Sequence, residues 1–203
     1  MRRTVALFCT PLLLLSACTT TTAGTASPSG VSTTGTAAPA ASLPGPGVPR
    51  VENPIDINRY KQAPCDSLNT SQIHELLGEG VTPKTDLNAP GGPSCSLHPP
   101  QVTQASVLVI FNNVDDRGLT GVYQAQYRFF LPLEPVDDYP VVAYGLADDR
   151  ASRGSCQIAI GTSDKQTVDI GVTQSEENVG KKDPCEAARD VASYVLGNLR
   201  GGN

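Results

Sequence analysis

Apolar and polar positions follow three different patterns along the chain. Val5 to Leu15 is a nearly unbroken apolar run of about ten residues, the length of a signal-peptide core and too short to span a bilayer. Thr19 to about Pro49 shows no periodicity and consists almost wholly of Thr, Ser, Ala, Gly and Pro. Beyond it the spacing becomes regular. Asn69-Thr70 predicts a helix cap, with the helix running to Leu77 and closed by Gly78. Residues 81–87 and 94–98 read as short strands around a Pro-Gly loop. Ala105 to Phe111, apolar at nearly every position, predicts a central strand. Apolar residues at 119, 122, 123, 127 and 130 fit a helical period and predict a helix from Leu119 to Phe130. Pro140 to Leu146 reads as a strand, and Ser155–Ile160 with Thr167–Val172 as a hairpin. In its second arm Val168, Ile170 and Val172 face inward, while Asp169 and Thr173 face out. Asp183-Pro184 starts a last helix, with an apolar stripe of Ala188, Val191, Ala192, Val195 and Leu199. This order predicts one α+β domain, an antiparallel sheet packed with helices.

The three patterns set the expected organisation: a signal peptide over 1–17, a disordered tether over 18–50 and the globular domain over 51–203. A domain of that length has room for a real core. The tether composition buries too little apolar surface to offset its ordering entropy. It suits a spacer, or a bed for O-glycans.

Arg2-Arg3, the apolar run and then Leu15-Ser16-Ala17-Cys18 match a bacterial lipobox. The expectation is cleavage before Cys18, acylation of its sulfur and amine, and attachment to the extracytoplasmic face of the cell membrane. Two acyl chains turn marginal membrane binding into stable anchoring. Loss of Arg2 and Arg3 takes the net charge from −5 to −7, which argues against nucleic acid as a partner and against direct adhesion to an anionic membrane surface. The expected partners are the membrane, through the anchor, and an envelope protein or small ligand.

Of six cysteines, Cys9 leaves with the signal and Cys18 takes lipid. The remaining four, in an exported domain, predict two disulfides. Cys156 shares a strand face with Ile158 and Ile160, and Cys185 lies on the apolar stripe of the last helix. Both thiols thus point into one core and pair. Cys65–Cys95 follows partly by elimination. A metal site of Cys65, His74, Cys95 and His98 is the rival, but Cys65 and His74 are too far apart for a zinc knuckle.

Pro64-Cys65-Asp66-Ser67-Leu68, Ser94-Cys95-Ser96, Ser155-Cys156-Gln157 and Pro184-Cys185, together with the lipobox and tether, resemble an actinobacterial family of envelope lipoproteins whose domain has no known function. The resemblance implies a layout similar to the Mog1/PsbP-like α/β/α sandwiches, which are mostly binding or accessory modules. It carries no catalytic residues.

Candidate chemistry is sparse. There is no Gly-x-Ser-x-Gly elbow, His-Glu-x-x-His or P-loop, and only His74 and His98 could serve as imidazole bases. The pairs Asp115-Asp116, Asp137-Asp138 and Asp148-Asp149 lack the alternating layout of a calcium loop and read as solvated turns. Tyr123, Tyr127 and Phe130 share a helical face and read as core; with Tyr139 and Tyr144 they could line a pocket. The expectation is a non-enzymatic, cofactor-free binding or accessory module. An envelope hydrolase using acidic residues and a small solute-binding lipoprotein are the alternatives.

Overall fold

The alternating segments become seven strands in the computed structural model, which describes residues 42–201. The expected signal peptide, Cys18 and most of the expected tether lie outside the described residues. In chain order the elements are α1 (Asn58–Gln62), α2 (Thr70–Leu77), β1 (Thr82–Asp86), β2 (Ser94–His98), β3 (Ser106–Phe111), α3 (Leu119–Gln124), β4 (Phe129–Val136), β5 (Tyr139–Gly145), α4 (Arg150–Arg153), β6 (Ser155–Ser163), β7 (Gln166–Thr173) and α5 (Pro184–Leu199). The strands form one sheet in the order β1-β2-β3-β7-β6-β5-β4, with every pair antiparallel. Two meanders, β1–β3 and β4–β7, thus meet where β3 pairs with β7.

Local chemistry accounts for most boundaries. Asn69 and Gln72 cap α2 reciprocally: each side chain accepts from the other's backbone N–H, at 3.0 and 2.8 Å. Asp183 caps α5 by accepting from the Cys185 N–H at 2.8 Å, with Pro184 in the first turn. Asp137 and Asp138 both have positive φ and form a two-residue turn between β4 and β5.

The main core lies between α5 and one face of the sheet. It takes Val107, Val109 and Phe111 from β3, Ile158 and Ile160 from β6, and Val168 and Ile170 from β7. Ala188, Val191, Ala192, Val195 and Leu196 fill it from α5. Cys156–Cys185 ties β6 to the first turn of α5, and Cys65–Cys95 ties the turn after α1 to β2. Both pairings are those expected. Asn198, 1% exposed, donates to the Ser67 carbonyl at 2.9 Å, while its own carbonyl accepts from the Tyr60 hydroxyl at 2.7 Å. This anchors the last turn of α5 to the start of the domain.

The opposite face is covered only in part. Leu119 and Val122 of α3 pack there against Val142, Tyr144 and Ala159. The segment before Val51 joins them: the Gly45 N–H donates to Thr120 Oγ1 at 3.0 Å, and Val48 packs on the same small cluster. Arg50 pairs with Asp164 at 3.2 Å. The contacts of the domain therefore begin a few residues ahead of Val51.

Two sequence expectations are corrected. The helix from Leu119 stops at Gln124, and Phe129 opens β4 instead. Ala125 is already extended, and pairing of Phe129 with Gly145 and of Phe130 with Tyr144 outweighs a helical period that contains β-branched residues. Asp169 does point away from the main core, but it is 4% exposed because α3 and its flanks cover it.

Candidate functional site

Strand register builds the second face in transverse rows. Ser94, Ile110, Asp169, Ala159 and Val142 are successive partners across β2, β3, β7, β6 and β5. This row runs under α3, and Asp169 is at its centre. The next row is Ser96, Leu108, Gly171 and Gln157, continued by the Tyr144 hydroxyl, which accepts from Gln157 Nε2. A third row places Ser106, Thr173 and Ser155 side by side, with Ser155 and Thr173 hydroxyls 2.8 Å apart. No described helix covers the last two rows. Gly171 carries no side chain, and its missing Cβ leaves the middle of the floor low, with Leu108 Cβ 3.7 Å from where that atom would stand.

The result is a groove of about 490 Å³ with serine and threonine hydroxyls and the Gln157 amide along its floor, apolar Leu108, Phe129, Leu146 and Ala147 beside them, and the Asp149 carboxylate in its lining, with His98 at one end and Tyr144 and Gly145 at the other. Its lining is mostly neutral and rich in both donors and acceptors. The sequence pattern assigns no shared role to Ser96, Ser106, Gln157 and Thr173. Each is merely the polar member of an alternating strand, and only register shows that four strands bring them together.

Beneath the groove edge lies a buried polar group. Asp169 Oδ2 accepts from Asn112 Nδ2 at 3.1 Å, whereas Oδ1 has no partner at hydrogen-bonding geometry. Burial pushes the Asp169 carboxyl up to about 6, against the pull of hydrogen bonds from Asn112, Tyr144 and Thr167. Burial likewise raises the Tyr144 phenol, and the neighbouring Asp169 charge raises it further. The Tyr127 ring lies 4.7 Å from that of Tyr144 and closes this site from the α3 side.

The expected site residues are scattered. Tyr123, Tyr127, Phe130 and Tyr144 do gather on the second face, with Tyr123 and Phe130 edge to face at 4.9 Å. Tyr139 belongs to the main core on the other side, where its hydroxyl donates to the Asn53 carbonyl at 2.8 Å. The suggested five-residue aromatic pocket does not form. His98 borders the groove, while His74 is exposed on α2. Cys65 and Cys95 are bonded to each other, so the metal alternative loses its thiolates. Among the described residues no cluster of three or more His, Cys, Asp or Glu is placed to hold a metal.

Four of the six carboxylates in the acidic pairs meet nearby cations. Asp115 pairs with Arg117 at 2.7 Å, Asp148 with Arg150 at 2.8 Å, Asp149 with Arg153 at 3.8 Å and Asp137 with Arg200 at 2.6 Å. The Arg150 hydrogen bond also holds the Asp148 carboxyl below the usual range. Among the described residues no helix is long and apolar enough to cross a membrane.

Comparison with known proteins found no curated protein and no solved structure that matches the chain. One family does match, described as a protein of unknown function (DUF3558), over residues 13–198. That span takes in the whole sheet, both disulfides and every residue of the groove. The chain belongs to the DUF3558 family.

Proposed function

We propose that this protein is a lipid-anchored binding or accessory module of an actinobacterial cell envelope. It is held to the extracytoplasmic membrane face by Cys18 and displayed on the stretch that follows. The lipobox pattern, the Thr/Ser/Pro-rich composition and the two disulfides support export to an oxidising compartment.

The observation that carries a binding role is the uncovered groove across β2, β3, β7 and β6. Its mostly uncharged lining, hydroxyls and the Gln157 amide beside Leu108, Phe129 and Leu146, suits a partner that presents both uncharged hydrogen-bonding groups and apolar surface. The groove lining contains one carboxylate, Asp149, which pairs with Arg153, so the two facing carboxylates that acid–base hydrolysis needs are not brought together there, and this favours binding.

Site-specific photo-cross-linking in intact cells tests this. Probes at Ser96 and Gln157 should give adducts that a probe at exposed Glu79, on the α2–β1 connection, does not. Equal yields from all three positions, or none from Ser96 and Gln157, would remove the groove as the binding surface.

A further inference from the structure

The groove on the second face repeats its polar groups at a fixed step. Ser106, Thr173 and Ser155 are register partners, and continuing the β2–β3 register sets His98 opposite Ser106. Hydroxyls therefore recur at the inter-strand distance, about 4.8 Å, across β3, β7 and β6. Ser155 and Thr173 already share a hydrogen bond at 2.8 Å, and either oxygen can be its donor. Each hydroxyl of the row can both donate and accept. In the row beside it, Gln157 spends Nε2 on Tyr144, which leaves Oε1 as its acceptor.

The surface next to these hydroxyls is low and apolar. Gly171 leaves the floor without a side chain between Leu108 and Gln157, and a Cβ there would meet only Leu108 within 4 Å. Leu108 is half-exposed, and Leu146 on the rim is 82% exposed. Fixed charge is nearly absent. Asp149, the carboxylate in the lining, pairs with Arg153, and among the described residues no Lys or Arg lines the groove. Main-chain groups are not on offer either, because β3, β7 and β6 are each paired on both sides.

We propose that the groove binds a neutral, extended glycan laid across the strands, an inference that rests on the groove being the binding surface. An extended sugar unit is close in length to one strand step, so successive sugars meet successive side chains of the hydroxyl row. Sugar hydroxyls donate and accept as the Ser and Thr hydroxyls do, so either direction of each bond can be satisfied. The C–H faces of the rings cover Gly171, Leu108 and Leu146. The four strands from β2 to β6 span roughly 14 Å, three inter-strand steps. An acidic glycan or a phosphate meets no cation in the lining to offset the desolvation of its charge. A peptide strand is captured by main-chain bonds at a sheet edge, which this floor does not provide.

Saturation-transfer NMR on the full chain, with cellotetraose as the probe, tests the proposal. Cellotetraose should bind saturably. Tetragalacturonate, with a carboxylate on every sugar, and the neutral peptide acetyl-tetra-alanine amide should bind at least tenfold more weakly. Gly171→Val raises the floor and suits a strand, so it should weaken cellotetraose at least tenfold while the thermal midpoint holds. Ser106→Ala with Thr173→Val removes two hydroxyls of the row and should also weaken it; this pair carries the test if Gly171→Val does not fold. No saturable binding, uronate or peptide binding as tight as cellotetraose, or cellotetraose binding unchanged in the folded variants would overturn the glycan. Cross-links from Ser96 and Gln157 that persist in that case would leave the groove its binding role with a different partner, and their loss would remove both readings.

Discussion

Asp169 shows how much a single position depends on its surroundings. Alternation along β7 assigns it to the face opposite Val168 and Ile170, and that is where it lies. Alternation cannot say that α3, forty-five or more residues earlier, will roof it over. Its carboxyl titrates near 3.8 when unfolded and at about 6 when folded. Between those values the folded state holds the extra proton, so this group's contribution falls as pH rises through the window and is most unfavourable above about pH 6. Asp169→Asn should therefore stabilise the domain at pH 8, on the order of 2–3 kcal/mol at 1.4 kcal/mol per pKa unit, with little effect near pH 4. Urea denaturation of variant and parent at the two pH values measures it; a difference that is the same at both would show that Asp169 titrates normally. Asn198 is the other case. It falls within an apolar stretch of α5, and only the fold reveals that Ser67 and Tyr60 meet it.

At the scale of elements, legibility follows how local the cause is. The caps of α2 and α5 were legible because Asn69, Gly78, Asp183 and Pro184 act within one turn. The β6–β7 hairpin was legible because its arms are adjacent and alternate cleanly. β4 was not: Pro132 and Pro135 argue against a strand, and they are tolerated because β4 is at the edge of the sheet. The same logic favours Pro83 in edge strand β1. The Cys156–Cys185 bridge joins a legible strand to a legible helix, which is why its pairing could be read. Replacing both cysteines by Ala should cost about 2–5 kcal/mol. Amide exchange should quicken most in the first turns of α5 and least around Cys65 and Cys95. Uniform acceleration across the domain would mean that the bridge does not act locally on α5.

For the whole molecule the arrangement is unequal: a full helical layer on one face of the sheet, a partial one on the other. An antiparallel sheet tolerates this because one face can meet water directly. β3 reflects it, since Val107, Val109 and Phe111 are buried while Leu108 and Ile110 are half-exposed. The proposed attachment to the membrane rests on Cys18 and not on the fold. Cys18→Ala should abolish labelling by a fatty-acid analogue and move the protein out of the membrane fraction, while the thermal midpoint of the domain stays within error. Equal labelling of variant and parent would refute the anchor.

The chain's own pattern determined the helix caps, the hairpin, the Cys156–Cys185 pairing and the α+β class, because each depends on spacing within a few turns or on which face a side chain occupies; Cys65–Cys95 followed partly by elimination. Tertiary structure alone decided the strand order, the early end of α3, the burial of Asp169 and the groove. The groove residues come from strands β2 to β7 and the loop after β5. Residues far apart in sequence become neighbours only once the sheet's register and the seating of α3 and α5 are set, and those depend on core packing summed over the whole domain.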